Sequence, residues 1–358
     1  MRTDPPTHRP FEAFQEFLLS CKLQWTRNLY PEVAQRYRAA SEAAPTKPKT
    51  VDDVEKLIAG DTTYRYFAWF ERHLQKMKYS GRYGLAGHYG AHRDELAPMI
   101  EPTNNERLVV PPDFVPPEYY PAIDIHQHPG GVHGDSVAGL VYERGARTTT
   151  PLLDKHGDLH QRFTRIAMER LGKQPKRIVD MGCGFGKSTR PFYSSGRDTE
   201  VVGVDLAAPC VKLAAHTAAE DQARNVQFRQ GDAADTKLPA GNADLVTSTM
   251  MLHEMPASHI EKVLHEAHRL LAPGGWSIHL DFLAGDDPFN KFIHYGHSAR
   301  NNEPFMPPLD KMDMAAAHRR AGFDEVEIMR FEEMTGALSP ENKAWRFPWV
   351  VIAARKAA

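Results

Sequence analysis

The sequence predicts an α/β fold, in which a doubly wound, mostly parallel β-sheet follows a mainly helical N-terminal region. From about residue 158 onward, short β-branched runs alternate with segments of helical periodicity, which is typical of consecutive βαβ units. The first 100 residues instead place apolar side chains at helical spacing. We therefore expect a helical region over residues 1–100, a proline-, glycine- and histidine-rich wrap or lid over 101–157, and the α/β domain over 158–358.

The N-terminal region is predicted to contain several helices. Apolar residues recur at helical spacing over residues 11–27. Thr50 and Asp53 form the pattern of a capping box in front of a second apolar run. A third run, residues 64–77, is aromatic. Two interpretations of its rings stay open, namely core packing and the lining of a substrate pocket.

A proline-rich segment separates the two parts of the chain. Residues 102–129 contain seven prolines, and a helix cannot persist through them. The segment is either a linker or an ordered stretch that wraps over the neighbouring domain. The sequence that continues it, IDIHQHPGGVHGD, is not of low complexity, so an ordered wrap is favoured.

The α/β domain is predicted from its β-branched runs. Five of them read as strands of a parallel sheet: 177–181, 200–205, 226–230, 243–249 and 276–282. Helices are predicted near 187–196, 209–221 and 257–272. Two later runs, 323–331 and 346–354, follow each other without a clear crossover helix. They predict an antiparallel pair at the edge of the sheet.

The strongest motif is the stretch DMGCGFG at 180–186, which directly follows the first predicted strand. Glycines permit a tight bend and let a ligand approach the backbone, and ligands of open α/β sheets bind beyond the carboxyl ends of the strands. Asp205 ends the second strand and can accept two hydrogen bonds from a ribose diol. Lys187 stands where the dinucleotide fingerprint would continue, which disfavours a nicotinamide oxidoreductase.

Further motifs stand at the ends of later strands. Gly231-Asp232-Ala233 follows the third strand, where the Asp232 carboxylate can accept a hydrogen bond from an adenine amino group and Ala233 leaves room for the ring. The segment 249–254 ends the fourth strand, and a Pro-Gly-Gly turn at 273–275 leads into the fifth.

Together these stretches resemble class I S-adenosylmethionine-dependent methyltransferases, close to the ubiquinone/menaquinone-biosynthesis type. The matching stretches are VDMGCGFGKS, VVGVDLA, FRQGDAAD, DLVTSTMMLHEM and HRLLAPGGW, in the order of that family. The resemblance covers residues 158–355 and implies a Rossmann-like, seven-stranded sheet with a reversed last strand. It implies S-adenosyl-L-methionine as the cofactor. The implied contact residues are Asp180, Gly182, Cys183, Gly184, Gly186, Asp205, Leu206, Gly231, Asp232, Ala233 and Thr249.

The acceptor side is predicted from histidines and aromatic residues. His253 lies just past the fourth strand, and residues 253–259 resemble the H-D-W-x-x-x-H region of plant-type O-methyltransferases, with Met255 in place of Trp. We expect His253 or His259 to act as a general base, the alternative being a helix-capping or surface role. The residues expected to contact the substrate are His126, His128, Met250, His253, Phe289 and Tyr295, the last two within an insertion at 284–321.

The histidine-rich loop leaves three interpretations open. His126, His128 and His133 are the right residue type for a divalent metal. The loop can equally contact the substrate or cofactor, or be purely structural. Our main expectation assigns no metal to it. Tyr142 and Arg147, just downstream, are candidates for covering the cofactor's carboxylate.

Composition limits the classes of function. The 358 residues include 44 basic and 46 acidic side chains, so the net charge of −2 disfavours a general nucleic-acid or anionic-membrane binder. No run of about 18 apolar residues predicts a membrane span. The start lacks the apolar stretch of a signal peptide. The three cysteines form neither a disulfide framework nor a CxxC pair, and these features favour the cytoplasm.

The sequence therefore predicts a cytoplasmic methyltransferase that acts on the oxygen or carbon of a small, partly apolar or aromatic metabolite. A homodimer is left open. Two alternatives remain: a metal-assisted methyltransferase that uses the His126, His128 and His133 loop, and a non-catalytic protein that binds the cofactor.

Overall fold

The computed structural model describes residues 5, 7–101, 105–149 and 158–358. Pro102 and the last part of the predicted wrap, residues 150–157, lie outside the described residues. The boundary predicted at residue 158 therefore stays a prediction.

The N-terminal region is helical, as the sequence predicts. Its helices are α1 (Arg9–Gln24), α2 (Tyr30–Ala43), α3 (Val51–Ile58), α4 (Thr62–Tyr79), α5 (Leu85–Gly90) and α6 (Arg93–Ile100). A π-helical segment, Trp25–Leu29, joins α1 to α2. The predicted capping box of α3 is present, because Thr50 Oγ1 accepts from the Asp53 amide and Asp53 Oδ2 accepts from the Thr50 amide, both at 3.1 Å.

The aromatic side chains of α4 serve mainly as packing. Phe67 is fully buried and stacks on Trp25 with ring centroids 4.6 Å apart. The Trp25 indole N–H donates to the Phe67 carbonyl at 3.1 Å. Trp69 on the same helix is 53% exposed. Within residues 64–77, Phe67 therefore packs in the core, whereas Trp69 faces outward.

The α/β domain contains a mostly parallel sheet in the order β1-β4-β3-β2-β5-β6-β8-β7. The strands are β1 (Leu108–Val109), β2 (Arg177–Met181), β3 (Glu200–Asp205), β4 (Val226–Gln230), β5 (Ala243–Thr249), β6 (Leu271–Phe282), β7 (Phe323–Arg330) and β8 (Trp349–Lys356). The expected seven strands are present, and the proline-rich segment adds the short β1, which pairs in parallel with β4. The reversed last strand, β8, lies one place inside the edge, between β6 and β7.

Helices cover both faces of the sheet. They are α7 (Ala138–Ala146), α8 (Asp158–Leu171), α9 (Arg190–Ser194), α10 (Ala208–Glu220), α11 (Ala257–Leu270), α12 (Pro288–Asn301), α13 (Met306–Asp310) and α14 (Met314–Arg320). Neighbouring residues of β2 face opposite layers, because Ile178 belongs to one buried cluster and Val179 to another. The cluster of Ile178 also contains Trp25 and Phe67, so the N-terminal helices share a core with one face of the sheet.

The described part of the proline-rich segment contacts the α/β domain, and the wrap or lid over 101–157 stays a prediction. Leu108 pairs with Phe228 in the sheet, and a short 3₁₀ turn, Ile125–Gln127, carries His126 to the interior. The Gln75 side chain of α4 donates to the His126 carbonyl at 2.8 Å. Among the described residues, no helix is long and apolar enough to cross a membrane.

Candidate functional site

The glycine loop after β2 bends sharply over the end of the sheet. Gly182 and Gly184 adopt φ angles of 65° and 51°, a region that side chains with a Cβ rarely occupy. The amides of Gly182 and Cys183 donate to the Val204 carbonyl at 2.8 and 3.1 Å, which ties the loop to β3. A Cβ on Gly182 would lie 2.6 Å from the Met251 side chain. The loop thus needs glycine both for its conformation and for its packing.

A cavity of about 210 Å³ opens beside this loop. Most of the residues expected to contact the cofactor line it: Gly182, Cys183, Gly184, Asp205, Leu206, Gly231, Asp232, Ala233 and Thr249. Gly186 is not among the lining residues, and a Cβ there would lie 2.9 Å from the Ala214 side chain of α10. Gly186 therefore permits close packing of α10, and its role as a cofactor contact stays a prediction.

Asp205 is held at the end of β3 with its carboxylate on the cavity. Its Oδ2 accepts from the Gly184 amide and its Oδ1 from the Ala207 amide, both at 2.8 Å. Burial raises the pKa of Asp205 to about 6, although both amides oppose that shift. A ligand that donates hydrogen bonds here would favour the ionised carboxylate.

Asp180 lies behind the loop and does not line the cavity. It is fully buried, and its Oδ2 accepts from the hydroxyls of Ser188 and Thr189 at 2.8 and 2.6 Å. Burial raises the pKa of Asp180 to about 6. Asp180 therefore supports the start of the following helix, and its role as a direct cofactor contact stays a prediction.

Asp232 and His259 form a pair at the edge of the cavity. His259 Nε2 donates to Asp232 Oδ1 at 2.9 Å, and the Ala234 amide donates to the same oxygen at 2.8 Å. The pKa of Asp232 is lowered by these bonds, against the effect of burial. His259 is not a lining residue. It positions Asp232, and its role as a general base stays a prediction.

His253 is the candidate base that does line the cavity. Its Nδ1 donates to Asp281 Oδ1 at 2.6 Å, and both side chains are buried. Asp281 also accepts from the amides of Leu252 and Phe282 at 2.8 and 2.9 Å. Burial alone would lower the pKa of His253, but the Asp281 carboxylate outweighs it and raises that pKa. The sequence offered one signal for Asp281, an acid at the carboxyl end of the fifth predicted strand.

His126 reaches the cavity from the wrap and joins two other parts of the chain. Its Nε2 and Nδ1 donate to Glu254 and Glu303, each at 3.0 Å. Burial opposes charge on the ring, but Glu303 and Glu254 together raise the pKa of His126 to about 10. The His126 imidazolium therefore forms ion pairs with Glu254 and Glu303, and these ion pairs hold the wrap against the α/β domain. No sequence pattern linked these three residues, which are far apart in the chain.

The other two histidines of the loop point elsewhere. His128 stacks on Tyr79, with ring centroids 4.9 Å apart, and does not line the cavity. His133 lies 5.0 Å from the ring of Tyr120. Within the described residues, no group of three or more histidine, cysteine or acidic side chains could hold a metal ion. The described residues therefore give no support to the metal-assisted alternative, and His128 as a substrate contact stays a prediction.

Phe289 and Tyr295 of the insertion also lie away from the cavity. Phe289 stacks on Tyr37 of α2 at 4.2 Å, and the Tyr295 hydroxyl donates to Asp310 at 2.7 Å. Neither is a lining residue of this cavity, and the two substrate contacts stay predictions. Met250, by contrast, lines the cavity as expected for a substrate contact.

Tyr142 lines the cavity above Gly184, whereas Arg147 pairs with Glu143 at 2.8 Å and is not a lining residue. The wrap contributes Tyr120, which the sequence did not single out. Its buried hydroxyl has no hydrogen-bond partner among the described residues, and the same is true of Thr249 Oγ1. Two orphaned hydroxyls on the cavity indicate that a polar ligand completes this end.

Residues 178–275 match the family profile described as methyltransferase domain. This finding confirms the resemblance of the α/β part to class I S-adenosylmethionine-dependent methyltransferases.

Three curated relatives are similar to parts of the chain. A demethylmenaquinone methyltransferase of Thermus thermophilus is 34% identical over 131 residues, which are 37% of this chain and 58% of that protein. A nocamycin O-methyltransferase of Saccharothrix syringae is 38% identical over 99 residues, 27% of this chain and 35% of that protein. A tocopherol O-methyltransferase of Arabidopsis thaliana is 33% identical over 132 residues, 35% and 37% of the two chains. The chain thus spans less than two thirds of each relative.

Among solved structures, the phosphoethanolamine N-methyltransferase 2 of Haemonchus contortus in complex with S-adenosyl-L-methionine superposes with a TM-score of 0.43. The identity is 18%, and the match covers 54% of this chain and 52% of that one.

The residues on the cavity fit S-adenosyl-L-methionine. Gly184 leaves open space toward the cavity, since a Cβ there would have only the Tyr142 ring within 4 Å among the described atoms, at 3.8 Å. The oriented carboxylates of Asp205 and Asp232 can accept hydrogen bonds from a ribose diol and an adenine amino group. The orphaned hydroxyls of Tyr120 and Thr249 are available to polar atoms of the same ligand.

Proposed function

We propose that this chain is a methyltransferase that transfers the methyl group of S-adenosyl-L-methionine to an oxygen or acidic carbon of a small, partly apolar or aromatic acceptor. One observation carries the proposal: His253, whose Nδ1 donates to the buried Asp281 carboxylate, lines the same cavity as the glycine loop, Asp205 and Asp232. The relatives that bear O-methyltransferase names agree with this chemistry.

The cofactor, when bound, supplies an electrophilic methyl group, and the protein supplies position and a base. Asp281 holds the proton on Nδ1 of His253, so that the neutral ring keeps Nε2 free to accept a proton. An acceptor hydroxyl or acidic C–H near Nε2 would lose its proton to His253. Asp281 would then stabilise the imidazolium that forms.

The finer features of the proposal have their own support. The net charge of −2 favours a small molecule over a nucleic acid as the acceptor. Cys21, Cys183 and Cys210 are free thiols, which agrees with a reducing compartment such as the cytoplasm. A homodimer stays open and is checked by light scattering.

Calorimetric titration with S-adenosylhomocysteine tests cofactor binding, and a labelled-methyl assay on a small-metabolite extract tests transfer. We expect binding that weakens in Asp205→Ala, together with label in a small molecule. Absence of binding would refute the proposal. Binding without label transfer to any extract would favour a non-catalytic protein. Label found only in protein or RNA would contradict the small-molecule acceptor.

A further inference from the structure

Two lysine side chains line the cavity from the N-terminal region, Lys22 on α1 and Lys78 on α4. Lys78 is only 7% exposed, and Lys22 is half-buried. Burial first, and the neighbouring Lys22 ammonium second, lower the pKa of Lys78 to about 7. Both lysines line one cavity, and their mutual repulsion, which favours loss of a proton from Lys78, would be reduced by a negatively charged ligand bound near both.

Neither ammonium forms an ion pair with a carboxylate of the described residues. Lys78 Nζ donates to Thr149 Oγ1 at 3.2 Å, and Lys22 Nζ lies 4.8 Å from the ring centroid of Trp25. A hydroxyl and an aromatic face solvate an ammonium only in part. The two lysines thus retain capacity for an anion.

The acids closest to the two lysines have other partners. Glu303, which interacts electrostatically with both lysines, accepts from His126 at 3.0 Å. Glu71, which interacts with Lys22, is hydrogen-bonded to both His297 and Arg300. Lys22 and Lys78 therefore have no carboxylate partner of their own among the described residues, and the carboxylate of a ligand can supply one.

The packing around Lys78 keeps its side chain directed into the cavity. Gly145 of α7 faces this side chain, and a Cβ there would lie 3.1 Å from Lys78 Cε and 2.7 Å from the Tyr79 hydroxyl. A glycine at this position lets α7 pass over the lysine without displacing it. The fold therefore fixes the position of the Lys78 side chain, which differs in this respect from a mobile lysine on the surface.

We propose that Lys22 and Lys78 form a binding subsite for a carboxylate group carried by a ligand with an aromatic or apolar body. The inference rests on the proposed methyltransferase function, because it names a chemical class for the acceptor. A carboxylate also occurs on the amino-acid end of the cofactor. Lys22 lies 5.9 Å from the ring centroid of Trp345, and Phe347 lines the cavity two residues further on, which favours the acceptor as the source.

The test is calorimetric titration of benzoate and its neutral isostere benzamide into the full-length protein, with and without S-adenosylhomocysteine. We expect benzoate to bind about tenfold more tightly, as one charge-assisted hydrogen bond predicts. Lys78→Met and Lys22→Met should each lose most of this preference. Lys76→Met, an exposed lysine of the same helix, is the matched control and should retain it.

A second arm distinguishes the two sources of the carboxylate. S-adenosylhomocysteine and 5′-methylthioadenosine, which lacks the amino-acid end, are titrated into Lys78→Met. Weaker binding of the first compound alone supports a subsite used by the cofactor. Unchanged binding of both, with the benzoate preference lost, supports the acceptor.

Other outcomes overturn the proposal. If the wild-type protein does not prefer benzoate and the variants bind all the compounds as it does, the subsite does not exist. Equal weakening of both nucleosides indicates general damage and removes the assignment of Lys78. Thermal melting shows whether Lys78→Met is folded, and Lys22→Met tests the same subsite with an independent substitution. A wild-type protein that prefers benzoate but does not bind S-adenosylhomocysteine would retain the subsite and refute the methyltransferase function.

Discussion

Replacing Asp281 by asparagine tests whether the carboxylate tunes and positions His253. The substitution keeps the shape and leaves an amide oxygen that can still accept from His253 Nδ1, now 2.6 Å from the carboxylate. It removes the buried negative charge. A hydrogen bond to a charged group is worth about 1.5–3 kcal/mol and a neutral one about 0.5–1.5 kcal/mol. The difference of about 1.4 kcal/mol corresponds to about one pKa unit on His253.

The direction of the expected pKa change follows from the charge of Asp281. The Asp281 carboxylate raises the pKa of His253, so removing its charge lowers that pKa. A general base must be neutral to accept a proton, and activity therefore rises with pH through this pKa. In Asp281→Asn the rise should move about one pH unit lower, and the plateau rate should fall by up to about tenfold because a weaker base accepts the proton.

The assay has two readouts. The first is an NMR titration of the His253 ring in the complex with S-adenosylhomocysteine. The second is the pH dependence of transfer to the acceptor that the labelling assay yields. Asp310→Asn removes the charge of a carboxylate that binds Tyr295 away from the cavity, and it should leave both readouts unchanged. A folded Asp281→Asn protein with the wild-type ring pKa and pH profile would show that Asp281 does not act on His253.

Three further substitutions test other parts of the structure. Asp205→Ala should weaken S-adenosylhomocysteine binding about 10- to 100-fold in calorimetry, since a charged acceptor is lost, while the surface control Asp221→Ala should not. Gly182→Ala should lower the melting temperature more than Gly241→Ala, because both glycines have positive φ but only the first would also clash, so equal losses would contradict the packing argument. His126→Gln tests linkage in urea unfolding: the raised pKa of about 10 means that the ion-pair contribution is present at pH 7 and is lost as pH rises toward 10. The stability advantage of wild type over this variant should therefore shrink between pH 7 and pH 10, and a constant difference would refute the ion pair.

The strands and helices of the α/β domain were predictable because each of them depends on a short run of neighbouring residues. The strands at 200–205, 226–230 and 243–249 lie where their β-branched runs place them, and the run 243–249 is buried on both faces. The glycine loop and Asp205 were predictable for the same reason. A tight backbone bend and the end of a strand are both determined by residues that are neighbours in the sequence. Gly186 shows how far such prediction reaches. The motif indicates a glycine at this position, but only the structure shows that a larger side chain would clash with helix α10.

Other parts of the site could not be predicted, because they depend on contacts between distant segments. His126 meets Glu254 and Glu303 across 128 and 177 residues, and no periodicity links them. The placement of Phe289 and Tyr295 was not predictable, because an aromatic residue in an insertion can face either the cavity or a neighbouring helix. Tertiary packing against α2 decides that choice for Phe289.

The distribution of chemistry over the chain explains why the acceptor is the least predictable feature. The α/β domain supplies the glycine loop, the acids and His253, and these residues would serve almost any methyl acceptor. The opposite wall is built by the N-terminal region and the wrap, through Lys22, Lys78, Tyr120 and His126. Selectivity for the acceptor should therefore change when this wall is mutated, while cofactor affinity follows the sheet. Because the His126 ion pairs tie the wall to the domain, acceptor binding and the stability of the wrap are expected to be coupled.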